Sequence, residues 1–166
     1  MNQPHQKKSP AQSQRFSIDG PCLGKGAICD PILRSLPAWF GIEEAIVQYA
    51  VDIDHLPTFL ASEAGEVMGF LTIKQHYPTS AEVLVMGIRR EAHGQGMGRA
   101  LMHHAQLWLK SQGMEYLQVK TLGPSHPDGN YAKTRAFYLA MGFKPLEEFP
   151  QIWDENNPCL ILIKRL

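Results

Sequence analysis

Gly94, Gly96 and Gly98, at alternate positions and followed directly by Arg99, are the residues of this chain best placed to do chemistry. Close-set glycines let backbone approach a ligand that side chains would block. A helix opening at this point adds unpaired N–H groups and the positive end of its dipole. Such a corner suits a phosphate. Two phosphate-binding patterns are excluded by the residues themselves. A P-loop needs Gly-Lys-Ser/Thr after four spacer residues, and no such run occurs. A dinucleotide fingerprint needs a third glycine three residues after the second; counting from Gly94 and Gly96, that position holds Arg99.

The remaining reactive side chains are more dispersed. His103 and His104 are adjacent, so on a helix they point to different faces, and no HExxH spacing is present. No metal site is expected. His76 and His126 fall near strand ends and loops, where an imidazole could act as a base near neutral pH. Cys22, Cys29 and Cys159 show no metal-type pair spacing, and their expected state is reduced and inert.

The 166 residues contain 44% hydrophobic and 19% charged side chains, with 16 Lys plus Arg against 16 Asp plus Glu. That balance describes one ordinary globular domain and gives no overall charge for nucleic acid or an anionic membrane. No apolar run is long enough to span a bilayer, and the opening MNQPHQKKSPAQSQ lacks a signal peptide's apolar segment. The expectation is a cytoplasmic protein with a disordered tail over residues 1–15 and a single domain over 16–166.

The elements that must hold the glycine corner are legible from periodicity. Residues 16–26 read as loop or a short edge strand. Ile28 to Leu36 reads as a helix stopped by Pro37, and Ile42 to Val51 as a second, with Asp52, Asp54 and Pro57 forming the turn after it. Pro57 to Ala64 and Glu66 to Gln75 form a hairpin through Ala64-Gly65, and Ala81 to Ile88 adds a third strand. Met97 to Gln112 is a helix capped at Gly113. Tyr116 to Leu122 is a strand reached by that helical crossover, hence parallel to the strand ending at Ile88. A loop over 123–130, a helix from Tyr131 to Met141, and strands at Phe143 to Phe149 and Cys159 to Leu166 complete the chain. PQIWDENNP reads as the loop between these last two strands.

In this setting His93-Gly94-Gln95-Gly96-Met97-Gly98 resembles the acyl-CoA pyrophosphate loop of the GNAT superfamily of N-acetyltransferases. That pattern is Gln/Arg-x-x-Gly-x-Gly/Ala, with His93 here in the first position. Thr134 to Phe143 is similar to the superfamily's later helix-and-turn signature, matched at Phe137, Tyr138, Gly142 and Phe143; Tyr131 stands at its usual Asn and Thr134 at its usual Ala. The resemblance covers roughly residues 57–166. It implies a mixed α/β fold, with a mostly antiparallel sheet flanked by helices around a β-α-β acyl-CoA-binding core.

The resemblance also implies acetyl transfer from acetyl-CoA to a primary amine by direct attack. The acceptor is expected to be a small-molecule amine, with a protein amine as the alternative and without nucleic acid, membrane or metal; dimers are common in the superfamily, and the sequence leaves the oligomeric state, a homodimer included, open. The other implied function is a non-catalytic acyl-CoA-binding or regulatory protein on the same fold. Expected cofactor contacts are Gly87 and Ile88 for the pantetheine arm and His93, Gly94, Gln95, Gly96, Met97, Gly98 and Arg99 for the pyrophosphate. Tyr138 is the expected general acid and Glu82 the expected base. Glu43 and Glu44 are further acidic candidates, and Trp39 and Phe40 candidates to line an acceptor pocket.

Overall fold

A computed structural model describes residues 15–154 and 156–166. The tail expected at the N-terminus lies, apart from Arg15, outside the described residues. Twelve elements follow the chain: β1 (Ser17–Cys22), α1 (Gly26–Arg34), α2 (Glu43–His55), β2 (Thr58–Glu63), β3 (Glu66–Tyr77), β4 (Ser80–Ile88), a 3-10 turn (Arg90–Ala92), α3 (Met97–Ser111), β5 (Tyr116–Leu122), α4 (Gly129–Ala140), β6 (Lys144–Asp154) and β7 (Asn157–Arg165). The strands form one sheet in the order β1-β2-β3-β4-β5-β7-β6. Only β4 and β5 are parallel, and α3 is the crossover between them.

The helices cover opposite faces of this sheet because its strands alternate. Leu71, Ile73, Ala81, Val83, Leu117 and Val119 meet Leu101, Ala105 and Leu109 of α3 on one face. Phe70 and Val85 meet Ile32 and Leu33 of α1 and Ile46 and Ile53 of α2 on the other. Val83 and Val85 are two apart, yet they belong to different faces. The cause is a bulge: Ile73 pairs with Val83 and Thr72 with Val85, which leaves Leu84 as an extra residue in β4. A bulge bends its strand and increases the local twist. Pairing with β5 runs from Ser80↔Tyr116 to Val83↔Val119 and stops there. Beyond it, β4 continues to Ile88 and β5 to Leu122 with no ladder between them.

Several elements differ from their sequence reading: α1 lies two residues earlier, over Gly26–Arg34, β3 runs two residues further, to Tyr77, and three others have a visible cause. Helix α2 continues four residues past Val51, because Asp52 accepts Gln48 Nε2 within the helix and Asp54 serves as a tertiary partner, so neither turns the chain. Asp54 Oδ1 accepts the Gly26 N–H at 2.7 Å, and its carbonyl accepts the Gly24 N–H at 3.0 Å. Strand β6 runs through Pro145 and Pro150 to Asp154, so most of the expected loop is strand. It lies at the sheet edge, where a proline forfeits no ladder bond. Helix α4 starts two residues early because Asp128 caps it, accepting the N–H groups of Asn130 and Tyr131 at 2.8 and 2.9 Å. The region left open over 16–26 contains β1, paired antiparallel with β2.

Candidate active site

The gap between the diverging halves of β4 and β5 opens into a cavity of about 1170 Å³. Its walls come from Val83–Ile88, from Val119–Leu122, from the glycine corner, from α4, and from the α1–α2 connection. It therefore joins both faces of the sheet through the split that the bulge initiates.

The glycine corner forms one end. Gly94 and Gly96 have φ of +75° and +89°, a region side chains avoid, while a Cβ at either would meet nothing within 4 Å. Their glycine character is thus conformational. Gly98 differs, since a Cβ there would meet Ile88 Cδ1 at 3.1 Å. It lets α3 sit close against the end of β4. Helix α3 has no side-chain N-cap. Its first closing bond runs from the Ala100 N–H to the Gly96 carbonyl, and among the described residues none of the N–H groups from Gly94 to Arg99 has an acceptor. Six adjacent orphan donors at a helix start form an anion cradle, and Arg99 beside them has no ion-pair partner among the described residues. The donor set and its open space fit a pyrophosphate.

Two side chains of the loop brace it internally. His93 Nε2 donates to the Ile88 carbonyl at 2.7 Å, and Gln95 Nε2 donates to the Glu91 carbonyl at 3.0 Å. Along β4, the Arg89 N–H bonds to Met68 of β3 at 2.8 Å. Backbone groups alternate sides along a strand, so Gly87 also turns its own to β3, where it pairs with Phe70. Ile88 and Met86 turn theirs to the open gap. Gly87 therefore does not present its backbone as the sequence reading expected. Its small size serves packing, because a Cβ would meet Phe70 at 3.2 Å and Leu36 at 3.3 Å. Met86 takes that place in the gap, and no sequence signal distinguished it before the register was known.

Tyr138 lies on the cavity wall and is 5% exposed, stacked edge to face with Phe137 and Phe143 at 5.4 and 5.7 Å. Burial, reinforced by Tyr131 and Tyr49, pushes its phenol well above the ordinary range, so it stays protonated. Tyr131 is pushed up to about 12, again mainly by burial. Thr121, also on the wall, has its Oγ1 buried without a protein partner.

Glu82 is placed differently from Tyr138. It is 3% exposed and sits behind the cavity wall, on the sheet face opposite Ala81 and Val83. Its Oε2 accepts His76 Nε2 at 2.6 Å, Gln118 Nε2 at 3.1 Å and Lys120 Nζ at 3.1 Å. Lys120 is the member of this group that reaches the cavity. It occupies the polar alternation of β5 with Tyr116 and Gln118, a visible signal whose partner lay on another strand. His126 lines the cavity and His76 does not. Glu43 is bound to Arg34 at 2.6 Å on the surface, and both it and Glu44 lie off the cavity wall. Trp39 and Phe40 line the cavity as expected, joined by Tyr49 of α2 and Trp153 of β6. All three cysteines lie off the wall. Burial pushes the Cys29 thiol up to about 12 and Cys159 to about 11. No group that could hold a metal ion occurs among the described residues, and no helix there is long and apolar enough to cross a membrane.

This is the architecture of an acetyltransferase fold split at its β4–β5 seam. The acetyltransferase (GNAT) domain model matches residues 54–145, more than half of the chain, and the chain belongs to this family. A mycothiol acetyltransferase of Amycolatopsis mediterranei is 36% identical over 93 residues, covering 51% of this chain and 29% of that protein. The chain thus spans less than a third of that relative's length. Among solved structures, a GNAT-family protein of Desulfovibrio desulfuricans has a TM-score of 0.78 at 15% identity, covering 90% of this chain and 98% of that one. A GNAT acetyltransferase of Elizabethkingia anophelis with acetyl-CoA bound has a TM-score of 0.68 at 18% identity, with coverages of 93% and 100%.

Proposed function

We propose that this protein transfers an acetyl group from acetyl-CoA to a primary amine on a small molecule, by direct attack of the amine. The observation that carries this reading is the seam itself. A cleft between diverging parallel strands ends at six unpaired N–H groups, which suits a long ligand with a pyrophosphate at one end. The N–H groups of Gly94–Arg99 would hold that pyrophosphate, assisted by Arg99. The outward backbone groups of Met86 and the N–H of Ile88, whose carbonyl accepts His93 Nε2, would pair with the pantetheine arm. When bound, acetyl-CoA supplies the activated thioester.

Tyr138 keeps its proton in the buried site and is suited to give it to the leaving sulfur. The amine enters from the α1–α2 face, where Trp39, Phe40, Tyr49 and Lys120 line the way. Glu82 acts from behind Lys120, accepting the His76 and Lys120 N–H groups and so fixing the Lys120 Nζ that faces the acceptor. Direct attack is supported by the cysteines, since none lies on the wall to form an acyl-enzyme. A small acceptor is supported by the aromatic side chains along that face and by equal numbers of acidic and basic residues.

One observation favours a second reading, a non-catalytic acyl-CoA-binding protein. Each carboxylate at or near the wall is already engaged: Glu82 by three donors, Asp128 in capping α4, and Asp154 by Asn156 and Asn157. Calorimetric titration with acetyl-CoA, followed by a panel of amines and short peptides with release of free CoA as readout, separates the two. Binding with turnover of small amines is the expected result. Binding without transfer to any amine establishes the second reading. Turnover of peptides alone overturns the small-molecule assignment, and absence of binding removes both.

A further inference from the structure

We propose that Trp39 is a positioning residue that clasps the acyl-CoA arm in the cleft, with His93, Tyr131 and Thr134 as its holders. This rests on the acyl-CoA reading above and adds to it a residue remote from the glycine loop in sequence but packed beside it.

Trp39 belongs to the connection between α1 and α2, yet it touches two banks of the cavity, the segment after β4 and helix α4. On the β4 bank its indole meets the His93 ring edge to face, with centroids 5.9 Å apart, and the Arg90 guanidinium lies 6.0 Å from the indole centroid. His93 is itself fixed, through Nε2, to the Ile88 carbonyl. On the α4 bank, Trp39 Nε1–H donates to Thr134 Oγ1 at 3.0 Å, and the Tyr131 hydroxyl donates to the Trp39 carbonyl at 2.8 Å. The Thr134 hydroxyl gives its own proton to the Asn130 carbonyl at 3.3 Å, so its lone pair is free for the indole. Side chain and backbone of one residue are therefore both anchored. Trp39, Arg90, His93, Tyr131 and Thr134 all line the cavity.

These holders are the three positions where the chain departs from the superfamily pattern: His for Gln or Arg at 93, Tyr for Asn at 131 and Thr for Ala at 134. An alanine at 134 could not accept the indole proton, and a Gln or Arg at 93 offers no aromatic edge. The departures are scattered in sequence but converge on one indole. A bridge from the segment after β4 to helix α4 covers the groove from the α1–α2 side. Opening such a cover limits escape, so its removal acts on release of the ligand.

The test uses the full chain and a fluorescent CoA analogue, chased with excess acetyl-CoA in a stopped-flow instrument. Trp39→Ala is expected to speed release about tenfold, and Trp39→Phe or Thr134→Ala about threefold, with association unchanged or faster. Trp39→Phe with Thr134→Ala removes the same hydrogen bond twice, so the double variant should release no faster than either single one. Thr134→Ala keeps the test valid if Trp39→Ala unfolds, since Ala is the superfamily's own residue there. Release within twofold of wild type for Thr134→Ala and Trp39→Phe overturns the clasp. So does slowed association with unchanged release, the sign of mere structural damage. If wild type binds neither the analogue nor acetyl-CoA, the cofactor reading fails first and the clasp with it.

Discussion

The corner at the start of α3 and the patch around Glu82 both present charge to the same cleft, by opposite means. The corner leaves its donors unpaired: six N–H groups and Arg99 lie open, held by consecutive residues. The patch leaves nothing unpaired on its loaded oxygen: Glu82 Oε2 is surrounded by side chains from β3 and β5 and is shut off from solvent. Unpaired donors are tolerable where water can reach them and a ligand can replace that water. A buried carboxylate without partners would cost several kcal/mol, on the order of a buried charge stripped of its ion pair. The corner is therefore built to receive and the patch to stay as it is. Binding and acceptor chemistry should respond to different substitutions.

The largest effect should come from Gly96→Glu. It forces a side chain into a positive-φ position and brings a negative charge to the cradle, so acetyl-CoA affinity measured by calorimetry should fall about a hundredfold or more. Tyr138→Phe should leave that affinity intact and lower turnover about a hundredfold, the scale of one lost proton donor. Glu82→Gln should lower turnover about tenfold with acetyl-CoA affinity unchanged. It should also cost about 2 kcal/mol in denaturant melts, through weakened bonds to Lys120 and His76. Loss of acetyl-CoA binding in Glu82→Gln, with the fold intact, would erase the distinction between the two regions.

The smallest effect is on alkaline stability. Cys29 and Cys159 titrate from 9.0 to about 12 and about 11 on folding, because burial penalises the thiolate. The unfolded chain therefore releases these protons first. Stability from this source is complete below pH 9 and declines as pH rises from 9 toward 11 to 12. Thermal melts should show a falling Tm across that window, and Cys159→Ser should reduce the slope.

The two regions also differed in how far they could be read from the chain. The corner was legible because Gly94, Gly96 and Arg99 act through backbone geometry within a few residues, directly after a strand. The order of elements from β2 onward followed from periodicity for the same local reason. Asp52 and Asp54 read as turn formers, although Asp54 reaches back to cap α1 from inside α2. Pro150 read as a strand breaker, although β6 lies at an edge where its missing N–H costs nothing. Glu82 was expected from the resemblance as the base, but its burial behind Lys120 depends on β3 and β5. Gly87 looked like a contact for the arm, but the register turns its backbone toward β3 and that of Met86 toward the gap.

By itself the sequence determined the glycine corner, the crossover that follows it and the Tyr138 position on α4, since each is encoded by residues close together in the chain. The Leu84 bulge, the seam it opens, the Glu82–Lys120–His76 patch and the seat of Trp39 between His93 and Thr134 were decided only by tertiary structure. They depend on strand register and on contacts between residues far apart in the chain, which side-chain type and spacing do not specify.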